Sequence, residues 1–208
     1  TSEGYKNDNH PASQEAWKEL KTVVHPKWSW KLVFESFMWV GILLFALDVA
    51  TKWIVAEYFN RIEYSVIPLF DWGWMAGNIR LVFNQGMAFG IGDGVLWARI
   101  LYIIISWNAS ILIARYWYQG LHKGNKIANF LWMMAWAGAI GNAIDRTFYW
   151  NGTVGFSGVI DMFSFTFWGW DFAVFNVADI CLTVSIFLAI IYFIYTFIKE
   201  AKAEKAAE

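Results

Sequence analysis

Residues 180–198 form an apolar run of 19 residues without a single charged side chain. This length matches the roughly 20 residues that a helix needs to cross the hydrocarbon core of a bilayer. The chain as a whole is 58% hydrophobic and only 16% charged, which lies outside the usual range of soluble domains. The sequence therefore predicts an integral membrane protein.

Three more apolar segments have the length of membrane-spanning helices. The predicted fold is mainly α-helical, with one transmembrane domain at residues 32–198 between an N-terminal tail at 1–31 and a C-terminal tail at 199–208. Between the first two spans, residues 60–93 are rich in Gly, Pro and aromatic residues, and the segment 79–83 (IRLVF) favours a short β-strand. The four predicted spans cover residues 32–59, 95–117, 127–144 and 174–198.

The composition of the spans gives two further expectations. The lone cysteine, Cys181, has no partner for an internal disulfide and is predicted to be a small core residue. The third span contains four small residues, which predict close packing against neighbouring helices. These residues are Ala135, Gly138, Ala139 and Ala143.

Lysine and arginine are distributed unevenly between the two ends of the predicted spans. Eleven lie in the two tails and in the turn between the second and third spans, whereas five lie on the opposite side. Because cytoplasmic segments carry the excess of positive charge, both termini are predicted to be cytoplasmic. The polar residues that follow the third span would then lie at the outer leaflet of the membrane.

Residues 141–182, between the third and fourth spans, contain an unusual set of polar side chains for a membrane protein. Ionisable groups at bilayer depth cost several kcal/mol unless they face a partner or water, so they indicate a functional site. Each of the two carboxamides precedes an aspartate by three residues and is predicted to support that carboxylate from the same helix face. The set consists of Asn142, Asp145, Arg146, Asp161, Asn176 and Asp179.

Two carboxylates held close together in a low-dielectric pocket share one proton, because both cannot be charged at once. The ionised carboxylate then activates a water molecule while the protonated one polarises a peptide carbonyl, as in aspartic proteases. Asp161 and Asp179 are the favoured pair, but spacing alone leaves open Asp145 with Asp179, or no pair at all. This chemistry needs no metal and no cofactor, and the three histidines form no HExxH zinc motif.

Several charged residues also have structural interpretations. Asp48 and Lys52 are four residues apart with the acid first, a spacing that favours an ion pair on one helix face. The alternative for these two residues is a direct role in substrate binding. For Asp145 the structural alternative is an interaction with Arg146 or with backbone groups at the helix end. For Asp179 it is a buried acid that is hydrogen bonded within the bundle.

Five short motifs occur in order along the predicted spans. They are residues 48–52 (DVATK), 84–90 (NQGMAFG), 141–146 (GNAIDR), 159–163 (VIDMF) and 175–179 (FNVAD). In this order they resemble the motif series of the bacterial lipoprotein signal peptidases, also called signal peptidase II. The resemblance covers about residues 35–195.

The resemblance implies a membrane aspartyl endopeptidase with four transmembrane helices and a small extracytoplasmic β-cradle. Its substrates would be prolipoproteins that already carry a diacylglyceryl group on the lipobox cysteine, cut on the amino side of that cysteine. The resemblance also implies contact with membrane lipid and inhibition by globomycin-like compounds, and no nucleic-acid partner is expected. By motif match, the catalytic residues are Asp161 and Asp179, the substrate-binding residues are Asn84, Gly86 and Arg146, and the supporting residues are Asn142, Asp145, Asn176, Asp48 and Lys52.

Two other functional classes compete with this interpretation. A small proton- or ion-coupled carrier would use the paired acids as a relay. A non-enzymatic adaptor would bind a partner through its aromatic loops, which include two Trp-rich patches at residues 71–74 (DWGW) and 168–171 (WGWD). These patches are predicted to anchor in the membrane interface, and a sharper hypothesis is that one of them caps the active-site cleft.

Overall fold

The computed structural model describes residues 29–61, 66–86, 95–121, 124–148 and 158–207. The tail up to residue 28 and residues 87–90 of the second motif lie outside the described residues, so the expectations for them stay predictions. Within the described residues the chain forms five helices and four strands. They are α1 (Trp30–Glu35), α2 (Met38–Arg61), β1 (Ile67–Asp71), β2 (Met75–Asn84), α3 (Leu96–Gly120), α4 (Lys126–Phe148), β3 (Val159–Phe167), β4 (Trp170–Asp171) and α5 (Val177–Ala207).

Helices α2 to α5 are long and apolar enough to cross a membrane, which confirms the four predicted spans. The first span differs from its prediction, because residues 32–59 do not form one continuous helix. The chain breaks after α1, where Phe37 adopts a left-handed φ of 56° that is unfavourable within a helix. At this break the carbonyl of Ser36 accepts a hydrogen bond of 2.8 Å from the indole of Trp117 on α3.

Helix α4 lies at the centre of the bundle and packs against α2, α3 and α5. Gly138, Ala139 and Ala143 are buried, which confirms the predicted close packing, whereas Ala135 is only half-buried. A Cβ atom at Gly138 would overlap the carbonyl oxygen of Ala178 on α5. The absence of a side chain at Gly138 therefore allows the backbones of α4 and α5 to approach each other closely.

The four strands form an antiparallel sheet in the order β1-β2-β3-β4. The predicted strand at 79–83 is part of β2, and Asp161 lies on β3 as predicted. Ile160 and Met162 of β3 pack against Ala56 of α2. This contact holds the sheet over one end of the bundle and brings Asp161 next to the ends of α4 and α5.

The two Trp-rich patches form the tips of adjacent hairpins. Residues 71–74 contain the turn between β1 and β2, and residues 168–171 contain the turn between β3 and β4. The rings of Trp74 and Trp168 lie 5.6 Å apart, and all four tryptophans of the patches are exposed. The patches thus form one aromatic cluster, whose predicted role at the membrane interface stays a prediction.

Replacing Gly138 with alanine is expected to destabilise the bundle, because the new methyl group would force α4 and α5 apart. Overpacking of this kind costs about 1–3 kcal/mol. The matched control is Gly120→Ala on α3, where an added Cβ would meet only the side-chain oxygen of Asn129 at 4.0 Å. Thermal unfolding in detergent should show a lower midpoint for Gly138→Ala than for Gly120→Ala. Equal midpoints would contradict the close approach of the two helices.

Candidate active site

Polar side chains from five elements meet where the sheet joins the helical bundle. Helix α2 contributes two of them, α4 three, β3 one, and the start of α5 two. The strand β2 adds Asn84 at its end. The residues from the other elements are Asp48, Lys52, Asn142, Asp145, Arg146, Asp161, Asn176 and Asp179.

Lys52 forms the buried centre of an ion cluster. Its Nζ atom lies 2.7 Å from Oδ2 of Asp48 and 2.8 Å from Oδ2 of Asp145, and it donates to Oδ1 of Asn142 at 3.3 Å. These three contacts use all three N–H donors of the ammonium group. Lys52 and Asp48 are each only 1% exposed, so the cluster is shielded from water and depends on its internal partners.

This cluster confirms the predicted pair of Asp48 and Lys52 but corrects the partner predicted for Asp145. The structural interpretation paired Asp145 with Arg146, whereas the structure pairs it with Lys52 of α2. The physical reason is geometric, since consecutive residues point about 100° apart around a helix. Asp145 faces α2, and the guanidinium of Arg146 instead lies 3.5 Å from the carbonyl oxygen of Gly86.

At the start of α5, the side chains of Asp48, Asn176 and Asp179 accept hydrogen bonds from backbone N–H groups. Oδ1 of Asp48 accepts a 2.8 Å hydrogen bond from the backbone N–H of Ala178. Oδ1 of Asn176 accepts from the N–H of Asp179 at 2.9 Å, and Oδ2 of Asp179 accepts from the N–H of Asn176 at 3.2 Å. Asn176 and Asp179 therefore form a reciprocal capping box, which fixes where α5 begins.

The two carboxamides support different carboxylates from those predicted. Nδ2 of Asn142 donates to Oδ1 of Asp179 at 2.8 Å, instead of to the carboxylate of Asp145. Nδ2 of Asn176 donates to Oδ1 of Asp161 at 2.7 Å and lies 3.2 Å from Oδ1 of Asn142. A connected chain of hydrogen bonds therefore runs from Asp161 through both carboxamides to Asp179.

Asp161 is only 2% exposed and accepts hydrogen bonds on both carboxylate oxygens. Oδ2 accepts from Nδ2 of Asn84 at 2.9 Å. Burial, followed by the nearby charge of Asp179, raises the pKa of Asp161 to about 7, although the hydrogen bonds from Asn84 and Asn176 act in the opposite direction. A large fraction of Asp161 is therefore protonated at neutral pH.

The three residues predicted to bind substrate lie next to Asp161 and Asp179. Oδ1 of Asn84 accepts a 3.0 Å hydrogen bond from the N–H of Gly86, which closes a tight turn after β2. The guanidinium of Arg146 is near the Gly86 carbonyl, and it lines the same cavity as Asp179 and Asn142. The structure thus brings all three predicted binding residues into one site.

Two cavities open on either side of the aspartates. One, of about 220 Å³, is lined by Asp179, Asn142 and Arg146 together with residues of α3 and α5. The other, of about 360 Å³, is lined by Asp161 and Asn84 and by residues of the sheet. Each aspartate therefore lines a different cavity, although one chain of hydrogen bonds connects the two.

Comparison with known proteins agrees with this geometry. The family model of signal peptidase (SPase) II matches residues 40–195. The chain belongs to the signal peptidase II family. It is 34% identical over 160 residues to the lipoprotein signal peptidase of Serratia marcescens, covering 76% of this chain and 84% of that protein. It is 30% identical over 158 residues to that of Pasteurella multocida, covering 75% and 87%.

Two solved structures of bacterial membrane enzymes have the same fold as this member of the signal peptidase II family. One superposes with a TM-score of 0.59 at 26% identity and covers 75% of this chain and 85% of its own. The other has a TM-score of 0.56 at 27% identity and covers 74% and 89%. The family and the predicted fold, four membrane helices with a small sheet, are thereby confirmed.

The sequence analysis missed two residues that line this signal peptidase II site. Tyr102 lines the cavity of Asp179, and both Tyr102 and Arg99 line a small pocket beside Asn84 and Arg146. Both residues belong to α3, one helical turn apart near its start. Their polar character on one face of an otherwise apolar span is the signal that could have identified them.

Replacing Lys52 with methionine is expected to unfold or severely destabilise the protein, because Asp48 and Asp145 would lose their buried counter-charge. Breaking a buried ion pair costs about 3–5 kcal/mol. The control is Lys126→Met, which removes a largely exposed lysine that lies 3.3 Å from Glu35. Thermal unfolding in detergent should show a much lower midpoint for Lys52→Met than for Lys126→Met.

A neutralised cluster provides a second check on the same interaction. Adding Asp48→Asn and Asp145→Asn to Lys52→Met should recover part of the lost stability, since no unpaired charge then remains buried. A triple variant that is less stable than Lys52→Met alone would contradict this account.

Proposed function

We propose that this chain removes signal peptides from diacylglyceryl-modified prolipoproteins, and that Asp161 and Asp179 are its catalytic pair. The cut would fall on the amino side of the lipidated cysteine, as the family resemblance implies. The observation that carries the proposal is the hydrogen-bonded chain from Asp161 through Asn176 and Asn142 to Asp179. It holds two carboxylates at one end of a membrane bundle, next to two cavities.

The two aspartates lie in different environments. Asp161 is buried and has a pKa raised to about 7, which makes it the proton donor of the pair. Asp179 accepts hydrogen bonds from Asn142 and from the backbone N–H of Asn176, and it lies in the first turn of α5. These hydrogen bonds orient the carboxylate of Asp179, and we assign it the role of general base.

With Asp161 as the acid and Asp179 as the base, hydrolysis proceeds through the following proton transfers. Asp179 takes a proton from water as the water oxygen attacks the peptide carbonyl carbon, and Asp161 gives its proton to the carbonyl oxygen. The tetrahedral intermediate collapses as the proton on Asp179 passes to the leaving nitrogen and the C–N bond breaks. The hydroxyl that formed from the carbonyl returns its proton to Asp161, which restores the starting state.

Asn84, Gly86 and Arg146 are proposed to bind the main chain of the substrate near the scissile bond. The guanidinium of Arg146 lines the cavity of Asp179 and offers N–H donors to peptide carbonyl groups. The turn at Gly86 places backbone beside this cavity without a side chain at that position. Asp48, Lys52 and Asp145 act as positioning residues through the buried ion cluster.

The excess of lysine and arginine at one end of the bundle supports an orientation with both termini in the cytoplasm. The sheet and the aspartates would then lie at the outer leaflet of the bacterial inner membrane, next to the diacylglyceryl group of the substrate. In this arrangement residues 32–198 form the peptidase domain, and 1–31 and 199–208 are cytoplasmic tails. Globomycin-like compounds are expected to inhibit the enzyme.

The connectivity of the acids also supports a peptidase over a proton- or ion-coupled carrier. A carrier would need its titratable groups along a path through the membrane. Asp48, Asp145, Asp161 and Asp179 instead belong to one connected cluster where the sheet meets the bundle. This arrangement suits chemistry at one place better than transport across the membrane.

Asp161→Asn and Asp179→Asn are each expected to reduce cleavage of a lipidated precursor by about 10²–10⁴-fold, the usual contribution of a general acid or base. Asparagine retains the size of the side chain, so the fold should persist. The matched control is Asp71→Asn at the exposed tip of the sheet, where the side chain accepts from the N–H of Gly73. Full activity of Asp161→Asn, with loss in Asp145→Asn, would mean that a different pair is catalytic.

The rate should fall as pH rises through about 7, because Asp161 must keep its proton to act as the acid. Since the Asn84 hydrogen bond favours the charged form of Asp161, Asn84→Ala should raise the pKa of Asp161 and move this alkaline limb to higher pH. The measurement is kcat/KM against pH, with Asp71→Asn as the variant whose profile stays unchanged. A limb that moves to lower pH in Asn84→Ala would contradict the assignment of the acid.

A further inference from the structure

Two cavities follow one another along the same side of α4. The first contains Asp179 and Arg146 and has a volume of about 220 Å³. The second has a volume of about 500 Å³ and lies between α4 and α5, further from the sheet. Its lining is apolar and plays no part in the hydrolysis described above.

The floor of both cavities is one continuous face of α4. The residues that line them recur alternately four and three positions apart, which is the spacing of a single helix face. Three of them are alanines, so over most of its length the floor is covered only by short side chains. In order from the start of α4, they are Ala128, Trp132, Ala135, Ala139, Asn142 and Arg146.

Residues of α5 and α3 form the walls beside this floor. On α5 the lining residues recur at alternating spacings of three and four, from Asp179 through Leu182, Ile186 and Ala189 to Phe193. On the other side, α3 contributes Tyr102, Ser106 and Ala109 to the first cavity. Further along, Tyr116 of α3 stacks on Trp132 of the floor, with ring centres 5.7 Å apart. The two cavities therefore share one face of α4 and one face of α5, and we call them together the α4 groove.

We propose that the α4 groove binds the apolar helix of the signal peptide and delivers its carboxyl end to Asp179. This inference rests on the proposed function, and it identifies the part of the precursor that the intramembrane face of the enzyme recognises. In the cavity further from the sheet the contacts would be made mostly by apolar side chains, so binding there would depend on the shape and hydrophobicity of the signal peptide instead of on a particular sequence.

The dimensions of the groove fit a helix. Ala128 and Arg146 are 18 residues apart, which corresponds to about 27 Å along α4. The apolar part of a signal peptide has about 7–15 residues and would rise about 10–22 Å as a helix, so it fits within the groove. Alanine residues on the floor allow a second helix backbone to approach closely, as small residues do at contacts between membrane helices.

The direction of the groove also matches the direction in which the substrate crosses the membrane. In the proposed orientation, a signal peptide begins in the cytoplasm and reaches its cleavage site at the outer leaflet. The groove runs in the same direction and ends at Asp179. On the far side of the pair, Asp161 lines the sheet cavity, which includes Arg80 and Asp171 and suits the polar chain after the cut. The signal peptide and the mature chain would therefore leave the pair through different openings.

The test uses Ala189→Trp, which fills the groove at an exposed position of α5. The control is Ile191→Trp, two residues on and about 200° around the helix, also at an exposed position. Each variant is assayed with two lipidated substrates that have the same residues around the cleavage site. One is a full precursor, and the other is a short peptide that lacks the apolar segment.

We expect Ala189→Trp to raise KM for the full precursor about tenfold, which corresponds to about 1.4 kcal/mol. It should leave the short peptide unaffected, and Ile191→Trp should leave both substrates unaffected. Equal kinetics of Ala189→Trp and wild type on both substrates would overturn the proposal. An equal loss on both substrates would also overturn it, since it would place the acyl chains or a second copy of the enzyme in the groove.

A binding measurement separates this inference from the proposed chemistry. In the Asp179→Asn background, a photo-crosslinking amino acid at position 189 should attach to the apolar segment of the precursor, and the same group at position 191 should not. If the wild type cut neither substrate but this crosslink formed, the proposed hydrolysis would be wrong and the groove would stand. If the wild type cut both and position 189 formed no crosslink, the groove proposal alone would fail.

Discussion

The structure depends on one buried ammonium group. Lys52 joins α2 to α4 through Asp48 and Asp145, and the other oxygen of Asp48 reaches the first turn of α5 at Ala178. Three membrane helices are therefore tied together at one level by a single charged cluster. Lys52 also donates to Oδ1 of Asn142, and this contact determines which end of the carboxamide faces Asp179. The ion cluster thus orients the carboxamide that supports Asp179 without taking part in the proposed chemistry.

The same interactions that build the fold also build the site. Asn176 caps α5 with its oxygen and supports Asp161 with its nitrogen, so one side chain fixes both the start of a helix and the position of an acid. Asp179 belongs to the same capping box and lies in the first turn of α5 as a consequence. The positions of Asp161 and Asp179 therefore depend on where α5 begins, and a shift of this start would move both carboxylates.

Local spacing predicted the parts of this structure that depend on local geometry. The spans followed from apolar length, and the ion pair of Asp48 and Lys52 followed from a separation of four residues. The partners of Asp145 and Asn142 could not be predicted in this way, because they lie on other helices and depend on how each helix is rotated in the bundle. The break at Phe37 also had no local signal, since the left-handed residue is neither glycine nor asparagine and no proline follows it.

Burial has opposite consequences for stability and for chemistry in this site. Removing Asp161 from water is unfavourable for its charged form, and this penalty raises its pKa to about 7, which suits the proposed role of Asp161 as proton donor. Asp179 lies in the first turn of α5 and accepts hydrogen bonds from Asn142 and from the backbone N–H of Asn176. The two carboxylates therefore have different surroundings, which is why we assign them different roles in the proposed chemistry. Each aspartate also lines a different cavity, so the space next to the two carboxylates differs as well.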